Sequence, residues 1–255
     1  MRRLAIGLVA AAAVIAPLIT TAAASASTAV TRPTIFSAEQ AGAAIGAPRV
    51  QYRYVETTFT LPDSSKLPYS TGGGISVQLR SNDDTFVLGI SATPGSQWNA
   101  AAVDLQPGNC TTSSCIFYSN ANSPVMNTGD SITLSVFRNY SNSFMFYTAQ
   151  DNTSGAVFSA RFSDPGAAFT SVRVGAEFAD FPAGTPGSTF TAPSADFRLV
   201  LLTGTKVTQK NGTHVSLVKS SQVVETSDGT KTGTVQVNAP TVFNNGMNTG
   251  IWVRH

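Results

Sequence analysis

From Val50 onward the chain is written in short alternating runs of apolar and polar residues, divided by turn-forming clusters. Tyr52, Tyr54 and Glu56 alternate with Val55, Thr57 and Phe59; Ile75, Val77 and Leu79 alternate with Ser76, Gln78 and Arg80. A period of two places successive side chains on opposite faces of a strand, so each run predicts a strand with one buried face. Asn82-Asp83-Asp84 divides Ile75–Arg80 from Phe86–Ile90, and Asn139-Tyr140-Ser141-Asn142 divides Ile132–Val136 from Phe144–Phe146. Both read as hairpins. Asp151-Asn152-Thr153-Ser154-Gly155 turns the chain into Ala156–Phe162, and further strands are expected at 172–178, 196–202, 214–218, 222–225 and 235–237. Helix signals are nearly absent; Ser37–Ala44, alanine-rich behind a capping serine, is a weak candidate. Many short strands joined by hairpins predict an all-β fold, an antiparallel β-sandwich of jelly-roll or concanavalin-like form.

The first residues break this pattern. Arg2 and Arg3 precede an uncharged run from Leu4 to Ile19, and small residues ending in Ala24-Ser25-Ala26 follow. That order is a secretory signal peptide over 1–26. The run is ~16 residues and carries Pro17, short of the ~20 apolar residues a spanning helix needs. Residues 27–49 are poor in bulky apolar side chains and read as a mobile arm, which leaves 50–255 as one sandwich domain. The expected location is extracellular, with no membrane attachment after cleavage.

Processing also changes the charge. The whole chain has 16 Lys and Arg against 14 Asp and Glu. Losing Arg2 and Arg3 leaves a balanced chain, without the basic excess of a nucleic-acid binder. Cys110 and Cys115 enclose a short loop, and in an oxidising compartment they predict a local disulfide. A metal site would need further ligands, and the two histidines, His214 and His255, lie far from that loop. No metal and no cofactor is expected, and the protein is expected to be a monomer.

Candidate chemistry is sparse. No Gly-x-Ser-x-Gly nucleophile elbow occurs, Gly72-Gly73-Gly74 lacks the lysine of a phosphate loop, and His214 is the only interior histidine available to a triad. Glu177 stands out. In Val172-Arg173-Val174-Gly175-Ala176-Glu177-Phe178 it shares a strand face with Arg173 and Gly175, opposite Val172, Val174, Ala176 and Phe178. A carboxylate so placed is either a solvated surface group beside an arginine or the centre of a site.

Several segments, in order, resemble the glutamic peptidases, the eqolisin family: Phe59-Thr60-Leu61-Pro62, Asn127-Thr128-Gly129-Asp130 with the strand to Val136, Asp151–Gly155, and Ala176-Glu177-Phe178 followed by Asp180-Phe181 and Ala195-Asp196-Phe197. The resemblance spans about Val50 to Val237 and implies a lectin-like β-sandwich and acid endopeptidase activity. It also implies a glutamate acting as general base with a glutamine amide holding the oxyanion. Glu177 matches the glutamate. The glutamine's place, in Phe86-Val87-Leu88-Gly89-Ile90, holds Val87 or Leu88, and Gln78 is the leading candidate to replace it. The family's tryptophan on the preceding strand falls near Ile75. Two functions remain open: a peptidase with an altered site, or a non-catalytic relative that binds extracellular protein, peptide or glycan. Trp98, in Pro94-Gly95-Ser96-Gln97-Trp98-Asn99, is the aromatic expected to be exposed for substrate binding, ahead of Tyr118, Tyr140 and Trp252.

Overall fold

The computed structural model describes residues 32–37, 40–66, 73–81, 85–105, 116–119, 124–163, 166, 168–177, 199–217, 220–226, 230–233, 235–245 and 248–254, with the backbone alone at Val103, Leu105, Ile116–Ser119, Glu177, Leu199, Glu225 and Thr226 and along most of the last two strands. In chain order the strands are β1 (Thr34–Ser37), β2 (Gln40–Gly46), β3 (Tyr52–Thr60), β4 (Gly73–Arg80), β5 (Thr85–Ala92), β6 (Asn99–Leu105), β7 (Ile116–Ser119) and β8 (Ser131–Asn139). Then come β9 (Phe144–Asp151), β10 (Val157–Ser163), β11 (Ser171–Glu177), β12 (Leu199–Gln209), β13 (His214–Val215), β14 (Ser221–Thr226), β15 (Val235–Asn245) and β16 (Asn248–Arg254). A 3-10 turn, Ser64–Lys66, follows β3.

Two antiparallel layers form the sandwich. One runs β10-β9-β8-β3-β12, the other β14-β2-β11-β4-β5-β6-β7, and β15–β16 joins them. The inner faces follow from the alternation. Ile75, Val77 and Leu79 of β4 and Phe86, Leu88 and Ile90 of β5 meet Ile132, Leu134 and Val136 of β8 and Met145, Tyr147 and Ala149 of β9 in one core. Phe86, Phe169, Tyr147 and Phe162 knit the layers together, with ring centroids 5.3 Å apart for Phe86–Phe169 and 5.0 Å for Tyr147–Phe162. Both pairs are edge-to-face, as the ring quadrupoles favour.

The expected hairpins β4–β5, β8–β9 and β9–β10 are present in continuous register. Two other expectations are corrected. Residues 40–46 are neither arm nor helix: β2 is an interior strand, paired with β11 on one side and β14 on the other. All of its residues but Gly46 are buried. Alanine and glycine favour this because the strand is interior and buried, where small side chains fit and pairing outweighs intrinsic propensity. The last two strands close the sandwich. β15 pairs with β14 and β16, and β16 pairs with the first half of β12, closing the gap between the layers. β12 can serve both layers because its pairing shifts between Thr203 and Lys206, where Gly204 takes φ 59°. Such a bulge turns a strand from one sheet into the next.

Candidate active site

β11 carries the site, since its two neighbours bring other chemistry to its outer face. Val172, Val174 and Ala176 lie in the core. Residues 173, 175 and 177 therefore fall on the opposite face of the strand. Register then lines up residues across the layer. Gln40 of β2 stands directly opposite Glu177, which stands opposite Gly74 of β4, then Ser91 of β5 and Asn99 of β6. Directly opposed residues in an antiparallel pair have Cα atoms about 4.5–5.5 Å apart.

The next row is made of small residues: Gly42, Gly175, Ser76, Gly89, Ala101 and Ser119 on six successive strands. No side chain in it is longer than serine. The row is a trough across the strands, beside the row that holds Glu177. Its floor is set by close backbone approach, because a Cβ on Gly175 would lie 2.1 Å from the Ala41 carbonyl oxygen. One on Gly42 would lie 2.1 Å from that of Val174.

Gln40 crosses this trough. Its Nε2 lies 3.4 Å from Ser76 Oγ, two strands away on the far side of β11, where Ser76 is paired with Gly175. The amide is 1% exposed and Ser76 is 0% exposed. The amide oxygen Oε1 has no hydrogen-bond partner among the described residues. Gln78 also lies on this face and is 6% exposed, but it stands opposite Arg173 of β11 and Val87 of β5. That register sets it four residues from the level of Glu177, about 13 Å along the strand. The structure therefore brings Gln40, not Gln78, beside Glu177. The sequence gives no alternation in Gln40-Ala41-Gly42-Ala43-Ala44, so nothing there marks Gln40 as a site residue.

Trp98 is not exposed. It is 0% exposed, bridges Met126 in the backbone, and donates from its indole N–H to the Pro62 carbonyl at 3.2 Å. A buried tryptophan with a satisfied N–H is a core residue, which offers no face for stacking. Tyr140 donates to the Tyr52 carbonyl at 3.1 Å, with the Arg138 guanidinium 4.2 Å from its ring centre. His214 is exposed on the short β13, its Nδ1 3.2 Å from Thr208 Oγ1. Cys110, Cys115 and the segment 1–31 lie outside the described residues. Among the described residues no cluster of three His, Cys, Asp or Glu is placed to hold a metal.

No family model and no curated protein matches the sequence. Solved structures do match the fold. Scytalido-glutamic peptidase, crystallised with a transition state analog inhibitor, superposes with a TM-score of 0.61 at 16% identity. The match covers 85% of this chain and 98% of that one. A second structure of it, with a peptide-based transition state analog, gives 0.61 at 17% identity, covering 86% and 99%. SCP-B, a member of the eqolisin family of peptidases in complex with the tripeptide Ala-Ile-His, gives 0.57 at 18% identity, covering 85% and 98%. The chain thus has the β-sandwich fold of the glutamic peptidases over most of its length.

Proposed function

We propose that the protein is a secreted peptide-bond hydrolase in which Glu177 is the general base. The observation that carries this reading is the placement of position 177 on a sheet face beside a trough of glycine, serine and alanine, in a fold shared with glutamic peptidases. A trough with so little side chain lets an extended substrate lie close to the strands. The step needs no group beyond water and a carboxylate. Water adds to the substrate carbonyl carbon while its proton passes to the Glu177 carboxylate, and the carbonyl π electrons move to oxygen. On collapse the C–N bond breaks, and the proton held by Glu177 goes to the departing nitrogen. The products are one carboxylic acid and one amine.

The export signal supports an extracellular site of action on protein or peptide chains. The alternative, a module that binds glycans by aromatic stacking, loses its main candidate because Trp98 is buried.

Digestion of an unfolded protein across pH 2 to 7 tests the reading. Wild type should cleave, and Glu177→Gln should lower kcat by about 10²–10⁴-fold, the size of a general-base contribution. Equal cleavage by both forms, or none by either, sinks it.

A further inference from the structure

We infer that Gln40 is the amide partner of Glu177, holding the carbonyl oxygen of a bound peptide as it becomes an oxyanion. The inference rests on the reading of Glu177 as the base. It comes from the register of β2, since Gln40 faces position 177 directly and shares its row with no other amide but the more distant Asn99.

Burial makes the amide informative. A side-chain amide has two donors and an acceptor, and leaving one end unmet away from water is costly. Gln40 is 1% exposed, yet among the described residues its amide nitrogen meets Ser76 Oγ at a long 3.4 Å and its oxygen has no partner. A hydroxyl both donates and accepts, so Ser76 can hold either end of the amide. With Ser76 donating to the amide oxygen, the NH₂ is released to donate elsewhere. Gly175 keeps β11 close to β2 at this level, because a Cβ there would lie 2.1 Å from the Ala41 carbonyl oxygen and push away the strand that carries Gln40. A donor fixed in a buried setting before the reaction stabilises developing negative charge far better than one in water. The chain therefore supplies a glutamine amide from β2, although the position expected for it on β5 is apolar, with Val87 and Leu88 buried.

The test uses the full secreted chain and two readouts. In the first, Gln40→Met, which keeps the volume without the amide, and Gln40→Ala are assayed on a peptide that wild type cleaves. Both should lose about 100- to 1,000-fold in kcat while KM changes less than about threefold, the signature of a donor used in the transition state. An unchanged kcat in a folded variant, or the same loss in Gln78→Met with Gln40→Met unimpaired, overturns the inference. In the second, the Glu177 carboxyl is followed by carbon NMR through a pH titration. An amide donating to the carboxylate favours its charged form, so removing it should raise the midpoint. An unmoved midpoint overturns the pairing whatever the activity. A raised midpoint in a protein that cleaves nothing overturns the peptidase reading and leaves the Glu177–Gln40 pair standing. Should Gln40→Ala fail to fold, Gln40→Met carries both readouts.

Discussion

Single side chains in this protein act according to what surrounds them, and Asp151 shows how much one carboxylate can organise. It accepts from the backbone N–H of Thr153 at 2.8 Å, that of Ser154 at 3.2 Å, and the Ser154 hydroxyl at 2.5 Å, closing the β9–β10 turn. Gly155 completes the turn at φ 79°. Burial alone pushes the carboxyl up, but the hydrogen bonds from Ser154 and Thr153 together hold it below the ordinary carboxylate value. A group whose folded pKa is lowered contributes stability above its unfolded value near 3.9, and that contribution fades as pH falls through the folded value. Asp151→Asn should therefore cost stability at pH 6 and little at pH 2, measured by urea unfolding at both; equal costs would refute this. Phe86 shows the apolar counterpart. It touches Phe169, Tyr147 and Phe162, so Phe86→Ala should destabilise by about 3–5 kcal/mol, read as a shift in the urea midpoint. The residue scale also explains why Trp98 is misread from sequence. A turn-like neighbourhood of Pro94, Gly95 and Ser96 suggests exposure, but the Pro62 carbonyl that meets the indole comes from 36 residues earlier.

Among elements, β2 and β11 make the pair on which the candidate site depends. Their glycines face each other, and either added Cβ would come within 2.1 Å of a carbonyl oxygen on the partner strand. Backbone cannot yield as a flexible side chain would. Gly42→Ala and Gly175→Ala should each destabilise by about 2–4 kcal/mol through forced strand separation. Any folded Gly175→Ala protein should also lose activity, because forcing β2 away from β11 moves Gln40 from its place opposite Glu177. Thermal unfolding and peptide hydrolysis on the same samples check both; wild-type values for both would count against the packing described. Strands with alternating bulky residues, such as β4, β8 and β9, are legible in the sequence because one face is dry and the other is not. β2 is not legible. Buried along its length and built mostly from small residues, it lacks alternation and has the alanine content of a helix.

At the scale of the molecule, closure is the late event in the chain. β16 covers the first half of β12 and β15 covers β14, so the last 21 residues finish both layers. Removing residues 235–255 would leave two strands with unpaired edges, which invite association between chains. The truncated protein should lose cooperative urea unfolding and aggregate; retention of a sharp two-state transition would show that the hairpin is dispensable.

The sequence by itself determined the all-β class and the main hairpins, and it singled out Glu177 as a candidate. Each rests on local physics: period-two burial, turn chemistry, and the cost of a carboxylate among apolar neighbours. The tertiary structure alone decided that β2 lies beside β11, that Gln40 faces Glu177 while Gln78 stands four residues off level, and that Trp98 is core. Those facts depend on contacts between segments far apart in the sequence, which no local pattern encodes. Only pairing across the sheet sets it.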